Sequence, residues 1–535
     1  MKFRLRAVTL AAAAAVLAAA LGACSSGLSS APAASGSGSG TAASIPLLRV
    51  GINYTVTTLD PAKNGYQFEI APLIMETLLK MGPQGQLEPD LATSVSNPNP
   101  VTYAYHLRPG VKFWDGTELT SADVVYSWNY ERAAGSDNAS YFSSVKTVAA
   151  DGPSTVVVTL AHPDASWQYT PAGESSDVFE AKFAQEHKGE LGSPGVLVMG
   201  TGPWEINSLD AAKGATLTAN PHWWDGPVPI RHITFTSYSS ETSLALAFRA
   251  GEIDLDPFIV DMRDFAATSG LKLLNVDSNS TGDFAMNTQA PGWDDVHVRR
   301  AVAYAINRAD VIAANGGYAS PIYSLIPPSM LSTIGSASQV SALLASLPSY
   351  QYSLAKAKQE MAESAYPHGF STTIVEYTDD GQAVNEGEAI VAELAQIGIH
   401  AQLKAMTLNA WAALETGPAG KRLTTFLETG GSSSPDVSGY DFMLGRGNTA
   451  IGEFNIADYT PPAVDTLMSA GIATTNPAKR FPIYAALLSK LATDVPYVPI
   501  YSEDEGAAVS TKFSVSGFSQ FFADTDYALD IKPAA

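Results

Sequence analysis

The sequence predicts an α/β fold with mixed sheets, and three observations carry that reading. Amphipathic helix patterns run directly into short β-branched strands at several places, with a glycine at the turn. Hydrophobic residues make up 46% of the chain and charged residues only 16%, which is enough apolar material for a sizeable interior. At 535 residues the chain exceeds one typical core and implies two or three domains.

The N-terminus comes first. Lys2, Arg4 and Arg6 precede an uncharged run from Ala7 to Ala23. That run is shorter than the roughly 20 residues a spanning helix requires, and it reads as an export signal. It ends in Leu21-Gly22-Ala23-Cys24, and Cys24 is the only cysteine. These residues resemble the lipobox of bacterial lipoproteins, which implies lipidation at Cys24 and an anchor on the outer face of the cell membrane. An ordinary cleaved signal or an uncleaved anchor would show the same charge pattern. Loss of the leader removes three cations and moves the formal charge from -22 to -25. A body this acidic repels a phosphate backbone, so no nucleic-acid partner is expected. With Cys24 acylated no thiol remains for a disulfide, and stability must come from core burial.

Residues 24 to 44 read as a flexible Gly/Ser/Ala tether, with a reach of roughly 25 Å. Structure begins with LLRVGINY, residues 47 to 54, a buried strand. In FWDGTELTSADVVYSWNY, residues 113 to 130, Asp115-Gly116 signals a turn and Thr120 with Asp123 fits a capping box. A helix should therefore start near Ser121. SLALAFRAGEIDLDPF, residues 243 to 258, is a helix closed by Gly251 and followed by a strand. VHVRRAVAYAINRADVIA, residues 296 to 313, carries one apolar stripe, with Asp295 to cap it and Asn315-Gly316-Gly317 to end it. EAIVAELAQIGIHAQLKAM, residues 388 to 406, turns from helix to strand at Gly398.

The stretch LATSVSNPNPVTYAYHLRPGVKFWDGTELTSADVVYSW resembles the signature of the family 5 extracytoplasmic solute-binding proteins, the dipeptide and oligopeptide receptors of ABC importers. The resemblance continues, in order, through MGTGPWEI at 199, NPHWWDGPVPIRHITFTSY at 220, LAFRAGEIDL, FAMNTQAPGWDDVHVRRAVAYAINR at 284 and TDVPYVPIYSEDEG at 493. It implies a two-lobed periplasmic-binding-protein clamshell. Residues 45–85, 200–284 and 497–535 form a discontinuous domain I, 86–199 an inserted subdomain and 285–496 domain II. Trp114 and Trp128 then become packing residues of the insert. The implied function is capture of a peptide or other small molecule in the interdomain cleft by a monomer that needs no cofactor or metal, with delivery to an ABC permease.

In peptide-binding relatives an acid in domain II holds the ligand ammonium. The corresponding stretch here, FLETGGSSSPDVSGYDFML, offers Glu428, Asp436 and Asp441, with Asp436 favoured over Glu428, although it has Pro-Asp where the family has Asp-Pro. If Asp436 serves, Asp436→Asn weakens peptide binding and leaves the unliganded melting temperature nearly unchanged. On the domain I side the loop after the first strand supplies Tyr54, Thr57, Tyr66 and Gln67. Trp411 is a candidate for stacking on a side chain or sugar ring, and Asn287 for lining the cleft at the crossover.

Catalysis is not expected. The sequence has no Gly-x-Ser-x-Gly, His-Glu-x-x-His or phosphate-loop pattern, and its eight histidines show no ligand spacing. Asp254 and Asp256 share a strand spacing that a glycosidase would accept, as would any solvated strand edge. An oligosaccharide ligand, or a receptor that signals a peptide without import, fits the same fold.

Overall fold

The computed structural model describes residues 44–534 apart from 64–68, 260, 378–380, 419–420, 430–433 and 451–453. The expected lipidation site Cys24, nearly all of the tether, and the cleft candidates Tyr66 and Gln67 lie outside the described residues.

Eleven strands among the described residues join in one mixed sheet. In chain order they are β1 (Leu48–Ile52), β2 (Trp204–Asp210), β3 (Gly214–Ala219), β4 (His232–Ser237), β5 (Leu255–Ile259), β6 (Leu271–Ala285), β7 (Ala319–Pro321), β8 (Phe370–Tyr377), β9 (Ile399–Met406), β10 (Thr424–Thr429) and β11 (Tyr497–Ser510). Across the sheet the order is β9-β8-β10-β6-β11-β5-β1-β4-β3-β2, with β7 paired to β11 off that path. Strand β1 runs parallel to both neighbours, β4 and β5. Strands β8, β9 and β10 form a second parallel group.

The two groups are joined by β6 and β11, the longest strands in the sheet. Leu271–Asp277 pairs with Ser510–Asp504, and Thr281–Ala285 pairs with Ser502–Tyr497. Register shifts between Asp277 and Thr281, and again between Gly282 and Asp283. Such irregularities bend and twist a ladder locally, so this is where one half of the sheet changes direction relative to the other.

The helices follow their local signals with one exception. Helix α1 (Ser121–Glu131) starts at Thr120, whose backbone N–H donates to the Asp123 carboxylate at 3.0 Å. Helix α2 (Glu241–Ala250) is capped by Ser240 and closed by Gly251 at φ 71°. The segment 296–313 is not one helix but two, α3 (Val296–Ala305) and α4 (Arg308–Ala314). Ile306 and Asn307 take extended backbone, and the Asn307 N–H donates to Glu393 at 3.0 Å. Glu393 belongs to α5 (Gly381–Ala395), so a tertiary acceptor replaces the helical one. Asp295 still caps the start, accepting from His297 N–H at 2.8 Å. Gly398, at φ 86°, turns α5 into β9.

Residues 92–160 build a separate four-stranded antiparallel sheet, Ala92–Asn99, Thr102–Leu107, Val145–Ala150 and Thr155–Leu160, with α1 packed beside it. Its core holds Tyr105, Val124, Trp128 and Trp167. Trp128 is fully buried, donates from Nε1 to the Ser176 carbonyl at 3.0 Å, and meets Tyr105 and Trp167 edge-on. Trp114 donates to the Gly202 carbonyl at 3.2 Å. Both tryptophans are packing residues. Separate cores lie under β1–β5, around Leu48, Val50 and Phe235, and in the second half, around Met330, Val437 and Tyr484. Among the described residues no helix is long and apolar enough to cross a membrane.

Candidate functional site

Strand β1 has a parallel neighbour on each side, β4 and β5. In open α/β sheets ligands favour the region beyond the carboxyl ends of the parallel strands. Asn53 and Tyr54 follow β1, the start of α2 follows β4, and Asp256 is the second residue of β5. Glu241 opens α2, where the helix dipole favours a carboxylate, and accepts from Asn53 Nδ2 at 2.6 Å. Glu69 is 1% exposed, and its carbonyl accepts from the Tyr527 hydroxyl at 2.9 Å. Asp256 is also 1% exposed, with one carboxylate oxygen accepting from Phe258 N–H at 3.2 Å. Burial pushes Glu69 well above the usual carboxylate range, and Glu241 and Asp524 add to the rise. Burial raises Asp256 as well, reinforced by Glu241 and Glu69. The Tyr54 phenol is raised by burial and then by the Glu69 carboxylate.

A concave region lies between the inserted sheet's side and the second half. This cavity of about 970 Å³ is lined by Tyr141, Asp164 and Tyr169 from one part of the chain and by Asp436, Phe442 and Met468 from the other. Tyr141 and Phe442 are 48% and 39% exposed, so aromatic surface is offered to whatever enters. The volume matches the upper end of small-molecule pockets.

The predicted site residues separate into those near a concave surface and those committed elsewhere. Tyr54 is half-buried, with the Glu69 carboxylate beside its hydroxyl. Thr57 is exposed in the following loop, which is tied down where Leu59 N–H donates to the Gly192 carbonyl at 2.8 Å. Asp436 lines the cavity, but it is 1% exposed and both its carboxylate oxygens accept from Arg480, at 2.5 and 2.7 Å. It also caps the turn Val437–Met443 by accepting from Ser438 N–H at 2.9 Å. A carboxylate so occupied holds its loop. Asn287 is 1% exposed and donates to the Arg422 carbonyl at 2.7 Å, which fixes the crossover backbone instead of facing open space. Trp411 is 4% exposed in the core, its ring edge-on to Tyr377 at 5.5 Å, so no stacking face is presented. Glu428 sits in β10 with its backbone opposite Gly282; its side chain lies outside the description.

Asp254 and Asp256 do not act as a pair. Asp254 precedes β5 and is held by Arg49 at 2.7 Å, whereas Asp256 is buried and acted on by the charges of Glu241 and Glu69. Sequence spacing also missed a surface group in which His297 Nδ1 lies 2.7 Å from Glu360, with Glu363 beside them. No local pattern announces Glu69, Glu241 and Asp256 as neighbours. Only the strand order β5-β1-β4 brings them together.

Comparison with known proteins agrees with this architecture. Residues 86–450 match the family described as bacterial extracellular solute-binding proteins, family 5 Middle. The glutathione-binding protein GsiB of Shigella dysenteriae is 27% identical over 500 residues, covering 90% of this chain and 93% of the relative. The ABC transporter substrate-binding protein CtaP from Listeria monocytogenes has the same fold, with a TM-score of 0.79 at 19% identity over 92% of this chain and 100% of that one. The periplasmic binding protein DppA from Helicobacter pylori, solved with the peptide STSA, gives 0.72 at 20% identity over 92% and 99%.

Proposed function

This chain belongs to the bacterial extracellular solute-binding proteins of family 5, and we propose that it captures peptides between its two lobes outside the cytoplasm and hands them to the permease of an ABC importer. In this reading it is a monomer tethered to the outer face of the membrane through a lipid on Cys24, and it releases its ligand chemically unchanged. Residues 45–85, 200–284 and 497–535 act as one lobe, 285–496 as the other, and 86–199 as an insert on the first.

The observation that carries the reading is the cavity of about 970 Å³ whose walls come from segments far apart in the chain. A ligand touching both walls stabilises the arrangement in which they are close, and only such differential contacts shift a two-state equilibrium. In this reading the lobes bend at the register breaks in the β6–β11 ladder. An oligosaccharide is the second reading, and the exposed rings of Tyr141 and Phe442 in the cavity wall favour it. Trp411 is buried and does not add to them.

The test is a thermal-shift screen of the purified protein against dipeptide, oligopeptide and oligosaccharide sets. A ligand present at 100 times its Kd should add about 2.7 kcal/mol of stability. Shifts with peptides support the assignment. Shifts confined to sugars overturn it.

A further inference from the structure

We infer that the cavity carrying Tyr141 and Phe442 is a specificity pocket for a flat, uncharged ring of the solute, and that it turns acidic groups away. The ring is an aromatic side chain of a peptide or a pyranose of a sugar, which offer an aromatic platform the same kind of face. The inference rests on the solute-capture reading and names what the cavity of about 970 Å³ selects.

Three features of that cavity carry it. The first is exposed aromatic surface. Seven large apolar side chains are exposed among the described residues, and three of them meet here. Tyr141 stands on the wall built by residues 140–175 and Phe442 on the wall built by 434–472. Phe454 backs Phe442 edge-on, with ring centroids 6.1 Å apart. Rings left in water around one concavity are a binding surface more often than an accident of packing.

The second feature is charge. Asp164, Asp441 and Asp465 line the cavity, and no lysine or arginine stands among its described lining residues. Arg480, which reaches the Asp436 carboxylate in the same wall, is 1% exposed and spent on it. A carboxylate entering here meets like charges without a counter-charge, and such repulsion discriminates between solutes. The third feature is an idle hydroxyl. Ser144 lines the same space and is 2% exposed, and its Oγ has no hydrogen-bond partner among the described residues. A buried hydroxyl without a partner is costly, and a polar group on the bound ring would supply one.

The test uses the purified full chain and calorimetric titration. Alanine tripeptides carry one Phe, Leu or Glu at each position in turn, and cellotriose supplies a pyranose without a peptide. At the preferred position Phe should bind about three- to tenfold more tightly than Leu, and Glu about tenfold or more weakly than Leu. Tyr141→Ala and Phe442→Ala should each bring the Phe-to-Leu ratio close to one. The unliganded melting temperature should stay nearly unchanged in both, since both rings are exposed. Tyr141→Phe should keep the ratio. Ser469→Lys, which adds a cation to the wall, should bring the Glu peptide level with the Leu one.

Equal affinity for Phe and Leu at every position, with no binding of cellotriose, overturns the ring pocket and leaves peptide capture standing. A ring preference that survives in both alanine variants overturns it, as does Glu bound as tightly as Phe. If no peptide binds but cellotriose does, and Phe442→Ala abolishes that binding, the pocket stands and the peptide assignment falls. Absence of binding by every probe overturns the pocket.

Discussion

Arg480 grips Asp436 through both carboxylate oxygens, at 2.5 and 2.7 Å, with the two side chains 1% and 2% exposed. Burial opposes the guanidinium charge, but the Asp436 contacts outweigh it and hold Arg480 above its ordinary pKa. The pair ties the loop before Val437 to helix α6 (Pro477–Asp494). Removing one partner leaves the other charge buried and uncompensated. We therefore expect Asp436→Ala to destabilise the protein by about 3–5 kcal/mol. Asp436→Asn should likewise lower the unliganded melting temperature, opposite to the behaviour of a pure ligand contact. Chemical denaturation of both variants checks this, and an unchanged midpoint would contradict it.

Several buried acids set the pH dependence of stability. Burial pushes Asp90 and Asp441 up to about 7, and Asp283, Glu393 and Glu415 up to about 8. An acid whose folded pKa exceeds its unfolded value near 4 adds stability below the unfolded value and loses it as pH rises through the folded one. Asp261 and Asp494 are lowered, so their contribution is already complete across that window. The melting temperature should fall between pH 5 and pH 8 at fixed ionic strength. A flat or rising profile would count against these buried protonations.

Gly282 lies in β6 opposite Tyr501 of β11, at one of the register breaks. A methyl group there would meet the Tyr501 ring at 2.4 Å. That ring is pinned by its hydroxyl, which donates to Glu386 at 2.8 Å. Gly282→Ala should cost about 1–3 kcal/mol by overpacking. Urea unfolding of the variant measures it, and full parental stability would show that the ladder yields more freely than its packing implies.

Trp128 offers a control on scaffold against site. Trp128→Ala should remove about 3–5 kcal/mol, since a fully buried indole leaves a large cavity. Peptide affinity measured well below the melting point should stay the same. Selective loss of affinity would put Trp128 in the site.

What the sequence made legible was local. Gly251 and Gly398 mark helix ends because a left-handed backbone is needed there, and Asp295 and Thr120 mark starts because their oxygens serve orphan N–H groups. The order of matching segments then gave the family. Illegible features depend on partners distant in the chain. The break at Ile306–Asn307 needs Glu393, and the commitment of Asp436 needs Arg480, 44 positions away. Tyr54 was visible as a loop residue after a strand, but its neighbours Glu69 and Asp256 meet only once β5 and β4 flank β1. Trp411 was read for chemistry when the amphipathicity of its helix faces a core.

The central claim is that one solute draws two lobes together. Small-angle scattering of the purified protein, with and without a saturating peptide taken from the thermal-shift screen, tests it most directly. The radius of gyration should fall on binding, with the register breaks of β6 and β11 as the bend. A peptide that binds tightly and leaves the scattering profile unchanged would contradict the account.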